Sequence, residues 1–305
     1  MSKLLAFLRL GRFQFLGGGF LLYGLGALIA AVHGAAIDAT RYALGQGVVT
    51  AFQLMTHYAN DYFDYEADLA NATPTAWSGG SRVLAQGELP RQVALIAAIV
   101  LAVIGAVVTT ILVTQLEGAM VPVVIATAAA MLALAWAYSA PPFRLVARAG
   151  LGEVDTAIVV TGLVPWLAFY LQAPSLDGVA TLLLAIAPLA ILQVAMLLAI
   201  EFPDAAGDAA TGKRTLVVAL GRERAAHLYV VVLTAAYLVL PVAFLLGLPT
   251  RVVIAATVPA PLAMWRLSKI ADHAEPAAFE RLAFFGVLLL VATTVAELVA
   301  FATLL

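Results

Sequence analysis

The stretch Val93–Val113 reads VALIAAIVLAVIGAVVTTILV, with no charged residue from one end to the other. A helix crossing a bilayer needs about 20 mostly apolar residues. A strand of a membrane barrel would alternate polar and apolar side chains instead. This run does not alternate, so it reads as a helix, which satisfies its own backbone hydrogen bonds in lipid. Working outward, similar runs lie near 14–33, 41–63, 91–114, 119–139, 152–173, 178–202, 222–246, 250–268 and 282–304. They predict an all-α polytopic membrane protein of nine spans, a single bundle and one domain over 1–305. The composition agrees: 64% of the 305 residues are hydrophobic and 11% charged, against about 25% charged in soluble domains. The mean hydropathy is +1.02. A net charge of −2 points away from a nucleic-acid partner. The absence of cysteine excludes disulfides, zinc–thiolate centres and a cysteine nucleophile. His33, His57, His227 and His273 are too scattered to suggest a metal cluster. Lys3, Arg9 and Arg12 precede the first apolar run in the manner of a signal peptide, but no cleavage site follows, and a first membrane helix is expected there.

The segments between these runs alternate in length. Side A carries the N-terminus and the segments near 64–90, 140–151, 203–221 and 269–281, and side B carries tight turns. Of the 16 basic residues only Arg41 and Arg251 fall on side B. The positive-inside rule then places side A, with the N-terminus, in the cytoplasm and the protein in the cytoplasmic membrane. Most acidic residues also lie on side A, which orientation does not explain. That face is where chemistry is expected, with cap loops near 64–90, 140–151 and 203–221.

The acids are concentrated in two stretches. Asn60-Asp61-Tyr62-Phe63-Asp64-Tyr65-Glu66-Ala67-Asp68 follows the second run. On a continuing helix Asn60, Asp64 and Asp68 share one face, where like charges repel unless a cation lies between them. Glu201-Phe202-Pro203-Asp204-Ala205-Ala206-Gly207-Asp208 follows the sixth run, on the same side of the membrane. Two acidic helix ends facing each other would form a bowl of hard oxygen ligands suited to Mg²⁺, which binds through a few carboxylates and substrate phosphate. Asn60, Asp64, Asp68, Asp204 and Asp208 are the candidate metal or diphosphate residues; the bland alternative for each is a solvated helix end. Asp61 points aside and is expected to support the others. Glu201 reads equally as ligand or structural residue. Lys213 and Arg214, flanking Gly212, together with Arg82 and Arg144, are candidate phosphate contacts, although simple positive-inside anchoring also explains such residues. Tyr138 reads either as an interfacial tyrosine or as a substrate contact. His57 is expected in a buried hydrogen bond, Glu297 in an interfacial or interhelix contact, Gly17-Gly18-Gly19 at a close helix crossing, and Pro165 at a kink.

With these residues in place, the chain resembles the UbiA superfamily of intramembrane prenyltransferases. The resemblance rests on the Asn-Asp-x-x-Asp-x-x-x-Asp pattern at 60–68, the Asp-x-x-x-Asp pattern at 204–208 and the Tyr138-Ser139-Ala140-Pro141-Pro142-Phe143-Arg144 loop. It implies magnesium-dependent transfer of a prenyl group from an allylic diphosphate to an aromatic or other acceptor. Two Mg²⁺ ions are implied, with Asp64, Asp68, Asp204 and Asp208 as the catalytic carboxylates. Gly150-Leu151-Gly152-Glu153 and Asp208–Leu216 resemble the menaquinone branch, which prenylates 1,4-dihydroxy-2-naphthoate; Glu201-Phe202-Pro203 departs from that branch, which often has an asparagine and no proline there. The expected partners are therefore a prenyl diphosphate, an aromatic acceptor and the lipid bilayer. A different acceptor, or a terpene cyclase using the same bowl, are the alternatives within the family. A transporter is the alternative outside it, disfavoured because the acids gather at one face and the span centres are nearly free of charge.

Overall fold

Helix occupies the expected apolar runs in the computed structural model, which describes residues 2–305. The elements are α1 (Lys3–Leu10), α2 (Leu16–Val32), α3 (Ala39–Phe63), α4 (Tyr65–Ala70), α5 (Arg91–Val113), α6 (Met120–Ser139) and α7 (Leu151–Thr156). A π-helical stretch, Ala157–Leu163, joins α7 to α8 (Val164–Gln172). Then follow α9 (Val179–Ala210), α10 (Leu216–Leu220), α11 (Arg222–Leu245), α12 (Thr250–Thr257), α13 (Ala260–Ser268) and α14 (Phe279–Ala302). Local chemistry starts several of them: Ser2, Asp38 and Thr215 cap α1, α3 and α10 with side-chain oxygens.

Seven helical stretches are long and apolar enough to cross a bilayer: 3–32, 91–113, 120–139, 151–172, 179–210, 222–245 and 276–302. The expected spans near 41–63 and 250–268 are not among them. The first carries polar residues toward the acidic stretch, and the second is divided at Val258-Pro259 into two short helices. The chain is an integral membrane protein.

The side chains of α5 show how the bundle meets lipid. Ile96, Val100, Val103, Val107 and Ile111 are exposed on one face, while Ala94, Ala98, Gly105 and Leu112 are buried on the other. Lipid tails are as apolar as leucine, so close packing rather than water exclusion must hold such helices together. Small residues supply it. A Cβ at Gly26 would lie 2.0 Å from the Pro165 carbonyl oxygen, so α2 and α8 meet backbone to backbone. The Gly17–Gly19 run does less of this than expected: Gly17 and Gly18 face open space, and Gly19 alone packs closely, against Gln53.

Proline shapes two helices. Pro165 lies in the first turn of α8, and the helix before it widens into the π-helical stretch, where the Val164 N–H reaches back to the Val159 carbonyl. The irregularity expected at Pro165 takes the form of that π-helical stretch. Pro203 does not stop α9, which runs to Ala210 instead of ending near 202. At 1.5 Å per residue α9 spans about 48 Å, more than the roughly 30 Å apolar thickness of a bilayer. The excess length keeps Asp204 and Asp208 on the same continuous helix as the span.

Candidate active site

Asp64 ends α3 with φ −92° and ψ 8°, and α4 begins at the next residue. The helix is therefore not continuous through the first acidic stretch. The i to i+4 backbone bonds nonetheless survive the break: Asp64 N–H donates to Asn60 O at 2.8 Å and Asp68 N–H to Asp64 O at 2.9 Å. Asn60, Asp64 and Asp68 stay on one face, which lines a cavity of about 100 Å³. Glu201, Asp204 and Asp208 line it from α9. The two acidic stretches thus share one bowl.

Lys213 ties them together. Gly212 takes φ +76° and turns the chain back over the end of α9, and the Lys213 N–H donates to Asp208 O at 2.9 Å. Its ammonium stands 2.8 Å from Asp64 Oδ2 and 3.4 Å from Asp208 Oδ1, with only 9% of the residue exposed. Burial alone would depress this ammonium, but the Asp64 and Asp208 carboxylates outweigh it and hold Lys213 well above the ordinary lysine range. Asn60 Nδ2 donates to the same Asp64 oxygen at 3.0 Å. The other oxygen, Asp64 Oδ1, is buried without a hydrogen-bond partner, with the Arg144 guanidinium 3.5 Å away.

The loop 71–82 builds the rim. Asn71 Nδ2 donates to Asp204 Oδ1 at 2.7 Å, and the Gly79 N–H donates to Asp204 Oδ2 at 3.0 Å. Asp204 therefore anchors the loop with both oxygens. Asp61 does the same from below, accepting from the Ser81 N–H at 3.0 Å and from the Ser81 hydroxyl, in keeping with its expected supporting role. Gly80 has φ +68°, and a Cβ there would stand 2.1 Å from Asp68 Oδ2. Only glycine lets this loop pass so close to the carboxylate. Burial first, and then the neighbouring Asp61, Asp64 and Asp204 charges, push Asp68 up to about 8, with Lys213 opposing.

The other candidates divide. Tyr138 lines the bowl. Arg144 reaches Asp64 from the rim. Arg82 turns away at φ +65° and donates to the Asp68 carbonyl, while Arg214 is exposed and bonds through its backbone to Ala147 O at 3.1 Å. Neither lines the cavity. His57 accepts its expected place, with Nδ1 2.8 Å from Gly11 O. Glu297 is fully buried rather than interfacial, and both of its carboxylate oxygens lack a hydrogen-bond partner. Sequence reasoning passed over Asn71, read Arg12 only as an interfacial basic residue, and took Glu153 only as part of a resemblance. Arg12 lines the bowl and donates to the Trp77 carbonyl at 3.2 Å. Glu153 is buried and accepts from the Leu216 N–H at 3.3 Å. Asn71 continues the spacing of the first motif by three residues, a signal that was present.

Below the bowl lies a larger cavity of about 270 Å³, bounded chiefly by α2, α3, α9, α14 and the π-helical stretch. Arg12, Asn60, Trp77, Tyr138 and Ile200 line both spaces. A polar, acid-rich chamber thus stands over an apolar one.

The donor set suits Mg²⁺ chemically: carboxylates of Asp64, Asp68 and Asp208 are hard ligands, and Asp64 Oδ1 accepts no hydrogen bond. The Lys213 ammonium marks where positive charge is favoured between the two stretches. In the arrangement seen, no three His, Asp or Glu side chains among the described residues converge as a ready metal cluster.

A sequence profile described as the UbiA prenyltransferase family matches residues 20–296. Among solved structures, a digeranylgeranylglyceryl phosphate synthase studied for its biosynthesis in membranes superposes with a TM-score of 0.64 at 17% identity, covering 99% of this chain and 100% of that one. A UbiA homologue from Archaeoglobus fulgidus bound to DMAPP and Mg²⁺ gives 0.60 at 17%, covering 97% and 99%. An unliganded UbiA homologue from Aeropyrum pernix K1 gives 0.62 at 13%, covering 95% and 96%. At these identities the likeness establishes the fold. No curated protein sequence matches the chain.

Proposed function

The chain belongs to the UbiA prenyltransferase family, and from that premise we propose that it transfers a prenyl group from an allylic diphosphate to an aromatic acceptor, with 1,4-dihydroxy-2-naphthoate of menaquinone biosynthesis as the leading acceptor. The observation that carries this reading is the Lys213 bridge, 2.8 Å to Asp64 and 3.4 Å to Asp208. It joins motifs far apart in sequence into one charged bowl, directly over an apolar cavity. The Archaeoglobus homologue holding DMAPP and Mg²⁺ supports the same use of the fold.

The chemistry follows from the arrangement. A C–O bond at an allylic carbon breaks readily once the departing diphosphate is stabilised. Lys213, Arg144 and Arg12 present positive charge to a diphosphate in the bowl, and such preorganised charges stabilise a leaving group more strongly out of water. Asp64, Asp68 and Asp208 are the residues that would hold Mg²⁺, with Asn60 and Asp204 beside them; bound there, the metal would neutralise diphosphate charge. Asp204 also fixes the 71–82 loop that roofs the bowl. The apolar cavity receives hydrocarbon and excludes water that would otherwise quench the allylic cation. Tyr138, at the junction of the two spaces, is placed to meet the reacting end of the prenyl chain. Basic asymmetry supports a bowl that opens to the cytoplasm.

Purified protein is to be incubated with a labelled prenyl diphosphate, with and without Mg²⁺ and 1,4-dihydroxy-2-naphthoate, and the products identified by mass spectrometry. Prenylated naphthoquinol formed only with both additions is the expected result. A cyclised or eliminated hydrocarbon formed without acceptor would replace transfer by cyclisation. No consumption of diphosphate with any acceptor would refute the enzyme reading.

A further inference from the structure

The larger cavity carries, in a mainly apolar wall, polar side chains that the diphosphate chemistry does not use. Several polar side chains lining it are occupied by backbone carbonyls. Gln53 donates to Phe15 O at 2.8 Å, Thr56 to Phe52 O at 2.8 Å, Thr156 to Glu153 O at 3.0 Å and Thr294 to Leu290 O at 2.8 Å. His57 is held by Gly11. Two are different. Asp155 Oδ1 and Gln193 Oε1 are buried in the same cavity wall and have no hydrogen-bond partner. Their residues are only 5% and 3% exposed. Buried oxygens without a partner are rare and costly, because each forfeits the hydrogen bonds it would make in water.

The backbone around them is also unusual. Asp155 is followed within two residues by the π-helical stretch Ala157–Leu163, and π turns inside helices gather at functional sites. The stretch lines the cavity through Val159 and Val160. Leu22, Val49, Met131 and Leu290 add apolar wall. A ligand suited to this space has a flat or compact apolar body and carries hydrogen-bond donors, since both unpartnered atoms are oxygens. A carboxyl oxygen accepts from a hydroxyl whether or not the group is ionised.

Resting on the prenyl-transfer reading, we propose that Asp155 and Gln193 form the acceptor subsite, accepting hydrogen bonds from the ring hydroxyls of a hydroxyaromatic acceptor. The pair orients the ring beneath the bowl. The bond to Asp155 also leaves more electron density on the ring, which favours attack on the allylic carbon. The same pair selects against a ring whose hydroxyls are blocked: a site built to hydrogen-bond a hydroxyl rejects analogues lacking it far more strongly than an apolar pocket does, because its own polar groups are left unpaired.

The test compares wild type with Asp155→Leu, Asp155→Asn and Gln193→Leu. Steady-state rates are measured with a hydroxynaphthoate acceptor and with its O-methyl ethers, alongside the KM for prenyl diphosphate. Thermal melting without substrate reports folding. Wild type should prefer the hydroxy acceptor by about 100-fold or more. Asp155→Leu should lower kcat/KM for that acceptor by about 100-fold and reduce the preference to within a few fold, with the prenyl diphosphate KM changed less than about twofold. Gln193→Leu should act the same way more weakly, and Asp155→Asn, which keeps an accepting oxygen, should retain part of the preference. An unchanged preference in Asp155→Leu and Asp155→Asn, or a loss expressed in the diphosphate KM, would overturn the assignment. If wild type consumes no prenyl diphosphate, the function reading fails and the subsite is judged by binding alone. Then 1,4-dihydroxynaphthalene should raise the melting temperature of wild type but not of Asp155→Leu, and its dimethyl ether should raise neither. Equal shifts by both compounds would reject the subsite.

Discussion

Replacing Lys213 by methionine removes the one ammonium that joins the two acidic stretches while keeping much of the side-chain volume. At an effective dielectric of about 20, the attraction is about 6 kcal/mol at the 2.8 Å separation from Asp64 and about 5 kcal/mol at the 3.4 Å separation from Asp208. Desolvation of the buried ammonium offsets a large part of this. Breaking a buried pair by deleting one partner typically costs about 3–5 kcal/mol, because the remaining charges are left uncompensated. The variant should therefore melt well below wild type without Mg²⁺. Added Mg²⁺ should restore more of the loss than it adds to wild type, because a divalent ion supplies the missing positive charge. Catalysis should suffer separately. Losing one preorganised charge at a developing anion typically costs 10² to 10³ in turnover, and a fall of about that size in kcat is expected with saturating Mg²⁺. The assays are thermal melting by intrinsic fluorescence across a Mg²⁺ titration, and initial rates of diphosphate release. A Lys213→Met protein with wild-type melting, wild-type Mg²⁺ response and wild-type rate would refute the view that this bridge organises the site.

Other perturbations read different parts of the structure. Gly80→Ala should destabilise by about 1–3 kcal/mol, since its Cβ would stand 2.1 Å from Asp68 Oδ2 at φ +68°, whereas Gly17→Ala, with nothing within 4 Å, should be nearly neutral in the same melting assay. The carboxyl of Asp68 is raised in the folded state to about 8, so metal-free folded protein binds its proton more tightly than the unfolded chain, whose value is about 4. This contribution to stability is present below pH about 4 and is lost as pH rises toward 8; Asp68→Asn should flatten that fall in a melting series without Mg²⁺. Cysteines placed at the exposed positions Glu275 and Asp177 should react with an impermeant reagent from opposite faces of oriented vesicles, and labelling of both from one face would contradict the proposed orientation.

The sequence carried the helical bundle and both acidic stretches because their signals are local. Long uncharged runs such as Val93–Val113 permit little besides a membrane helix, and clustered acids in so apolar a chain stand out. What it concealed was set by tertiary contact. Pro203 reads as a stop, yet its carbonyl accepts from the Thr73 hydroxyl at 2.7 Å, and α9 continues through it. Arg82 and Arg214 lie beside the right motifs, but the backbone turns one toward the Asp68 carbonyl and leaves the other exposed. The helix break at Asp64 is invisible in sequence, because the i to i+4 bonds that place Asn60, Asp64 and Asp68 are the same on either side of it. Asp155 and Gln193 are single polar residues within apolar runs. The rule that an ionisable residue inside a span is functional by default applies to Asp155 as well as to Glu297. Only the cavity wall, with its unpartnered oxygens, singles out Asp155.

The central claim is that two stretches far apart in the sequence act as one diphosphate-ionising site. A double-mutant cycle on Asp64→Ala and Asp208→Ala measures this directly, with Mg²⁺-dependent diphosphate release as the readout and Glu275→Gln as the surface control. Residues that act as a unit are strongly non-additive. Each single change should nearly abolish turnover and raise the Mg²⁺ requirement of any residual rate, the double variant should be little worse than either, and Glu275→Gln should match wild type. Independent losses that multiply in the double variant, with an unchanged Mg²⁺ dependence, would contradict the claim.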